Sequence, residues 1–265
     1  MKRSLKWLMA CFLAPSLLGA TGPGAAPSLA LTNKDSAEAA NASRFPFKQV
    51  SPDEFTLGKV TLNKAHRTIA FPAVVNQRNG MVEYAVVTFT GKTHESVFKT
   101  EARPEHIHTA MLLLGVESAN TNMFPSDLSA PLPGAKVRIE VSWEHDGRQV
   151  RRALEDFIVT TNNQKSLSPG PWVYNGSYLN DHRFMAQVDG SIISVHTDPI
   201  ALVNNPRKGR ENDDMQNVNT AALPPNDVTL NLIIKLETGA SSASPGEGSA
   251  TSGEQPVKPP MKQLP

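Results

Sequence analysis

The sequence predicts an α+β fold, a β-rich domain of mainly antiparallel strands with two short helices inserted. The first sign is the alternation of apolar and polar residues with a period of two, clearest over residues 136–143. The second is a pair of Asp-Gly dipeptides, at 146–147 and 189–190, which tolerate the positive φ of tight hairpin turns. The third is a pair of helix-start signals, at Pro104 and Asp198, which interrupt the strand patterns.

Strand patterns recur along the middle of the chain. Residues 69–75 alternate around Pro72, which suggests an edge strand or a bulge. Residues 81–89 are apolar on both faces, as expected of an interior strand covered on each side. A turn at 90–92 then leads to a strand at 93–99. Further strand segments are expected at 136–143, 183–188, 191–196 and 228–236.

Both helices are predicted from their end residues. A helix over 104–114 begins at Pro104, which suits the first helical turn, and Gly115 can close its end. Its apolar residues recur at helical spacing, so we expect it to cover the interior strand. Asp198 is expected to cap a second, short helix that ends by Asn205.

The two ends of the chain differ in composition from its middle. Basic residues, an apolar run and then small residues open the sequence, which is the order of a secretory signal peptide. Cleavage after Ala20 or after Ala30 fits this pattern, and the expected location is periplasmic or extracellular. The expected division is a signal peptide at 1–30, a flexible segment at 31–47, a globular domain at 48–237 and a disordered Gly/Ser/Pro-rich tail at 238–265.

Charge and cysteine content exclude several classes of partner. The chain has 26 basic and 25 acidic residues, a formal net charge of +1, so electrostatics gives no case for nucleic acid. Cys11, the only cysteine, lies in the leader, so the mature chain would hold neither a disulfide nor an iron–sulfur cluster. The apolar run, residues 7–18, is too short for a transmembrane anchor, while a lipid anchor at Cys11 is the alternative.

One polar cluster follows the interior strand. Gly91-Lys92 resembles a phosphate loop, but Val86 stands where that loop needs a glycine, so we reject nucleotide binding there. On a strand, His94 and Ser96 would share one face while Glu95 points to the other. His94 and Ser96 could then act as base and nucleophile, or all three residues could contribute to a ligand site.

Other candidates lie further along the chain. His106 and His108 are about 200° apart around a helix, so they cannot coordinate the same metal ion. At most one of them turns toward His94, and we take it to be His108. His196 and Asp198 lie where a strand leads into a helix, a common place for functional residues. Oxygen ligands that could suit a hard cation, without the regular spacing of a calcium loop, come from Asn204, Asn205, Asp213 and Asp214.

Four motifs, in order, resemble those of the YdjY-domain family of exported bacterial proteins, which has no assigned activity. They are 91–96 (Gly-Lys-Thr-His-Glu-Ser), 104–115 (Pro-Glu-His-Ile-His-Thr-Ala-Met-Leu-Leu-Leu-Gly), 172–177 (Trp-Val-Tyr-Asn-Gly-Ser) and 198–206 (Asp-Pro-Ile-Ala-Leu-Val-Asn-Asn-Pro). Some relatives carry or neighbour ferredoxin-like iron–sulfur modules, so the resemblance implies a periplasmic redox context. This chain departs from that pattern because no cysteine follows Cys11. The resemblance provides no catalytic residues.

These observations predict a non-catalytic, exported binding or accessory module of the cell envelope, with a site near His94, Glu95 and His196. Its partner would be an envelope protein or a small ligand. The alternative is a metal-dependent or His/Ser-based hydrolase that uses His94 and His196. A third interpretation is a structural interaction protein of the envelope. Imidazoles that converge around a cavity would favour the enzyme, and imidazoles bonded separately to backbone would favour the structural role.

Overall fold

The computed structural model describes residues 46–117, 124, 127, 130–226 and 228–237. By internal contacts the chain divides into units 1–41 and 42–265, and every described residue belongs to the second unit. The expected signal peptide, Cys11, most of the expected flexible segment and the expected tail lie outside the described residues, so these expectations stay predictions.

The described part of the domain contains sixteen strands and two α-helices. The strands are β1 (Phe47–Gln49), β2 (Glu54–Leu57), β3 (Val60–Asn63), β4 (Thr68–Val75), β5 (Tyr84–Thr88), β6 (Ser96–Thr100), β7 (Ala135–His145), β8 (Arg148–Ala153), β9 (Ile158–Thr160), β10 (Trp172–Tyr174), β11 (Leu179–Asn180), β12 (Arg183–Phe184), β13 (Ser191–Ser194), β14 (Val203–Asn204), β15 (Gln216–Val218) and β16 (Leu230–Leu236). The helices are α1 (Pro104–Leu113) and α2 (Met185–Asp189).

Eight of the strands close into a barrel. Their order is β4, β16, β7, β10, β14, β13, β5 and β6, and β6 pairs with β4 to complete the ring. The pairs β5–β6 and β13–β14 are parallel, and the other pairs of the ring are antiparallel. The predicted β-rich fold with two helices is therefore confirmed, and most strand pairs are antiparallel as expected, but a simple antiparallel α+β sheet is not what forms, because the sheet is mixed and closes into a barrel.

The parallel pairing of β5 with β6 comes from the loop between them. Residues 89–95 turn back and run along β5, so that Ser96 at the start of β6 lies beside Tyr84 at the start of β5. Parallel neighbours usually need a crossover of a dozen or more residues, and here seven suffice. The expected strand at 93–99 is accordingly shorter at its beginning, since residues Thr93–Glu95 form a 3-10 turn.

The predicted period-two strands supply the core. Alternate residues of β4, β7 and β16, among them Phe71, Ile139 and Leu232, are buried in one cluster. All five residues of β5 are buried, as predicted for an interior strand. Pro72 lies between the part of β4 that pairs with β3 and the part that pairs with β6, so its missing N–H removes no bond to either of them.

One helix is where the sequence predicts it and the other is not. α1 begins at Pro104 and is followed by Gly115 at φ 81°, which confirms the first prediction. Residues 198–202 form turns instead of a helix, because β14 follows directly and pairs with β10 and β13. The second helix is α2, which Gly190 ends at φ 79°, so 189–190 is a helix end and the predicted hairpin is wrong. Within the described ranges, no helix has the length and apolarity that crossing a membrane requires.

Candidate functional site

Polar side chains from four chain segments meet beside β5. We call this group the β5 cluster, and its members are Tyr84, Lys92, Asp189, His196 and Asp198. Two of them, His196 and Asp198, belong to the predicted site.

The Tyr84 hydroxyl is the centre of the cluster. It accepts a hydrogen bond from Lys92 Nζ at 2.7 Å and donates one to Asp198 Oδ2 at 3.0 Å. Tyr84 is 1% exposed, and burial, followed by the nearby Asp198 charge, raises the pKa of its hydroxyl well above the ordinary value. The hydroxyl therefore stays protonated and serves as a fixed link between a cation and a carboxylate.

Lys92 is placed by a close contact between two glycines. A Cβ at Gly91 would lie 2.9 Å from the Gly190 carbonyl oxygen, and a Cβ at Gly190 would overlap Thr88 Oγ1. The absence of both side chains lets the end of α2 approach the loop after β5. Lys92 Nζ then lies 3.1 Å from Asp189 Oδ2 and 4.7 Å from the centre of the Tyr84 ring.

His196 forms one side of the cluster. Its ring packs edge-on against Tyr84 with 5.2 Å between the ring centres. Its Nδ1 lies 3.1 Å from Ser194 Oγ and 3.2 Å from the Glu83 carbonyl oxygen. This imidazole is thus bonded to the end of β13 and to the residue before β5, which is the outcome expected of a structural histidine. Ser194 is fully buried, so the Ser194–His196 pair offers no accessible nucleophile.

Asp198 is held by a network of buried amides. Its Oδ1 accepts from the Ile200 amide at 2.8 Å, which caps the turn that replaces the expected helix. Asn204 Oδ1 accepts from the Asp198 amide at 2.7 Å, and Asn204 Nδ2 donates to the Asp198 carbonyl at 2.8 Å. Asn205 Nδ2 donates to the Val195 carbonyl at 2.8 Å. Asn204 and Asn205 therefore shape the loop that carries Asp198.

The predicted trio at 94–96 is not assembled as expected. His94 lies in the 3-10 turn with its side chain 79% exposed, whereas Ser96 is fully buried and accepts from Asn76 Nδ2 at 3.0 Å. The two side chains thus do not share a strand face, because residue 94 precedes the strand. Glu95 lies 3.5 Å from the His94 ring, and its backbone carbonyl accepts from the Glu83 amide at 3.0 Å.

His108 belongs to a different contact. Its Nδ1 lies 2.7 Å from the Tyr174 hydroxyl, and its ring packs 4.8 Å from that of Phe184. Burial lowers the pKa of His108, which favours the neutral imidazole. These contacts join α1 to β10 and β12.

Two properties limit the chemistry of the described residues. No three His, Cys, Asp or Glu side chains among them come together in a way that could hold a metal ion. The β5 cluster instead combines one ammonium group, two carboxylates, an imidazole and a protonated hydroxyl. Such a set suits recognition of a polar ligand through Lys92, which is the partly exposed cation of the group.

Sequence patterns do not identify three members of the cluster. They indicate a core position for Tyr84, an incomplete phosphate loop around Lys92 and a hairpin turn at Asp189. One signal is present in the sequence: a tyrosine in a strand buried on both faces needs a partner for its hydroxyl.

Comparison with known families agrees with the motifs. The family model for the YdjY domain matches residues 60–235, which is more than half of the chain. This chain belongs to the YdjY-domain family. The matched range begins at β3 and ends within β16, so the YdjY domain includes all eight strands of the barrel. No curated protein and no solved structure matches the chain.

Proposed function

We propose that this YdjY-domain protein is a non-catalytic, exported binding module of the cell envelope, which holds a carboxylate-bearing ligand with an apolar part at the β5 cluster. The observation that carries the proposal is the state of Lys92. Its Nζ donates one hydrogen bond to Tyr84 and forms an ion pair with Asp189, and its side chain is 32% exposed, which leaves N–H capacity on the exposed side. An N–H of this ammonium group can therefore bind an oxygen atom of a ligand.

The surface around Lys92 suits a ligand that is partly apolar. Phe89 and Val188 each precede one of the two glycines by two residues, and they are 48% and 52% exposed. Lys99 Nζ lies 5.1 Å from the centre of the Phe89 ring and adds a second positive charge. A carboxylate could pair with Lys92 while its apolar part covers Phe89 and Val188.

The same geometry gives little support to the hydrolase alternative. Ser96 and Ser194 are fully buried, so neither hydroxyl can meet a substrate without movement of its strand. The Tyr84 hydroxyl is also buried, and its raised pKa makes it a poor base or nucleophile near neutral pH. A redox context rests on relatives of the family alone.

Titration with a simple probe tests the ligand class. Hexanoate should shift the amide NMR signals of residues 89–92 and 188–190, and uncharged 1-hexanol should shift them much less. Lys92→Met should abolish the response, because it removes the ammonium group and keeps most of the length of the side chain. Lys165→Met, at an exposed lysine in another loop, is the control. Equal responses to both probes, or a Lys92→Met protein that responds like wild type, would contradict the proposal.

Export is tested separately in a bacterial host. Cell fractionation should place the protein outside the cytoplasm, and the mass of the mature chain should correspond to cleavage after Ala20 or Ala30. A full-length chain in the cytoplasm would refute export and leave the ligand proposal to be decided by the titration.

A further inference from the structure

A groove of about 650 Å³ lies on the barrel wall, between the β3–β4 loop and the neighbouring ends of β7 and β16. Four basic residues line it, which are His66, Arg67, Arg138 and Lys235. We propose that this cationic groove is a binding site for a phosphate-bearing anion. It shares no residue with the β5 cluster, so the inference does not depend on the proposed ligand of that cluster.

Two of the positive charges face each other across adjacent strands. Lys235 on β16 pairs directly with Arg138 on β7, and both residues are exposed. Like charges at directly opposite positions destabilise a sheet. An anion that binds between or beside the two side chains would therefore relieve their repulsion.

Only part of this charge is neutralised. Arg138 Nε lies 2.7 Å from Glu237 Oε1, which forms an ion pair with it. Within the described part of the chain, neither Lys235 nor Arg67 has an acidic partner. Three full positive charges and one negative charge line the groove, although the whole chain has a formal net charge of only +1.

The backbone fixes Arg67 at the end of the groove. Its φ of 53° is in the left-handed region, which is unfavourable for a residue with a Cβ. Two hydrogen bonds hold it there, from the Arg67 amide to the Lys64 carbonyl at 3.2 Å and from the Leu236 amide to the Arg67 carbonyl at 3.0 Å. The Arg67 backbone therefore has a fixed position at the end of the groove.

A phosphate group matches this set of cations. Its three or four oxygens can accept from guanidinium and ammonium groups at once, and its double charge balances the excess of the groove. The phosphate could belong to a soluble compound or to a phospholipid headgroup.

Pyrophosphate is the soluble probe, measured by calorimetry with the mature protein. Lys235→Gln should weaken its binding about tenfold, the usual effect of losing a hydrogen bond to a charged group. Arg67→Asn should do the same, and it keeps a residue that tolerates positive φ. Glu237→Gln should strengthen binding about threefold, because it removes the negative charge. Lys165→Gln is the matched control.

The source of the phosphate is distinguished with vesicles of phosphatidylcholine, prepared with and without phosphatidic acid. Binding of pyrophosphate alone assigns the groove to a soluble ligand, and binding of the acidic vesicles alone assigns it to a headgroup. In either case Lys235→Gln must reduce binding and Lys165→Gln must not. Absence of binding to both probes, or equal losses in the two lysine variants, overturns the proposal. Unfolding midpoints of the variants show whether each one is folded.

Discussion

Replacing Tyr84 with phenylalanine tests whether the β5 cluster is held together by one hydroxyl. The change removes the donor of the 3.0 Å bond to Asp198 and the acceptor of the 2.7 Å bond from Lys92. Asp198 is 6% exposed, and loss of a buried hydrogen bond to a charged group costs about 2 kcal/mol. Lys92 is partly exposed and keeps its ion pair with Asp189, so the loss of its hydrogen bond to Tyr84 adds about 0.5 kcal/mol.

The expected total is a decrease of about 2.5 kcal/mol in the free energy of unfolding. With an m-value of about 2.5 kcal/mol/M, the urea midpoint of Tyr84→Phe should fall by about 1 M. Tyr178→Phe is the control, because the Tyr178 hydroxyl has no hydrogen bond within the described part of the chain. A loss below about 0.5 kcal/mol for Tyr84→Phe, or equal losses for both variants, would refute the reasoning.

The same hydroxyl gives an alkaline test of the same reasoning. Burial and the Asp198 charge raise the pKa of Tyr84 above its ordinary value of about 10. The stability that the protonated Tyr84 hydroxyl contributes is fully present below pH ~10 and is lost as pH rises through its folded-state pKa. Tyr84→Phe should therefore flatten the decline of the unfolding free energy above pH ~10. It should leave the 295 nm absorbance titration of the folded protein unchanged, and a smaller absorbance step would show that Tyr84 ionises in the folded state.

Two further predictions concern α1 and its surroundings. Gly58→Ala should cost about 3 kcal/mol of unfolding free energy and Gly147→Ala about 1 kcal/mol. Both glycines have positive φ, so the backbone cost of alanine is similar at the two sites. A Cβ at Gly58 would also lie 2.5 Å from His106 Nδ1, whereas a Cβ at Gly147 would meet nothing within 4 Å. Equal losses of the two variants in urea unfolding would disprove the contact. Burial lowers the pKa of His108. The neutral imidazole therefore contributes stability to the fold above pH ~6.5, and this contribution is lost as pH falls through the folded-state pKa. His108→Gln should flatten this acid decline, exposed His145→Gln should not, and an unchanged slope in His108→Gln would contradict the assignment.

Local signals predicted the parts of the fold that depend on neighbouring residues. Pro104 and Gly115 mark the ends of α1 because helix termini are decided within a few residues. The turn at 146–147 adopts φ values of 50° and 70°, as an Asp-Gly hairpin requires, and joins β7 to β8.

Pairing between distant segments could not be predicted in the same way. Gly190 has the positive φ that the Asp-Gly signal implies, but helix ends and hairpins both use this conformation. The two alternatives differ only in which strand pairs with β13, and the local sequence does not indicate that partner. Nothing near Ser96 in the sequence indicates that it lies parallel to Tyr84. The β5 cluster depends on that parallel pairing, so the sequence could predict His196 and Asp198 as candidates but not that they and Lys92 all contact Tyr84.

β16 is the last strand of the described chain, yet it lies between β4 and β7. It pairs with β4 from Leu230 to Lys235 and with β7 from Asn231 to Leu236, so nearly the whole domain separates β4 from its partner. A nascent polypeptide ending at residue 229 would leave bare hydrogen-bonding edges on both strands. Barrel assembly must therefore wait until translation of the domain is finished, and pairing over such a long separation is slow.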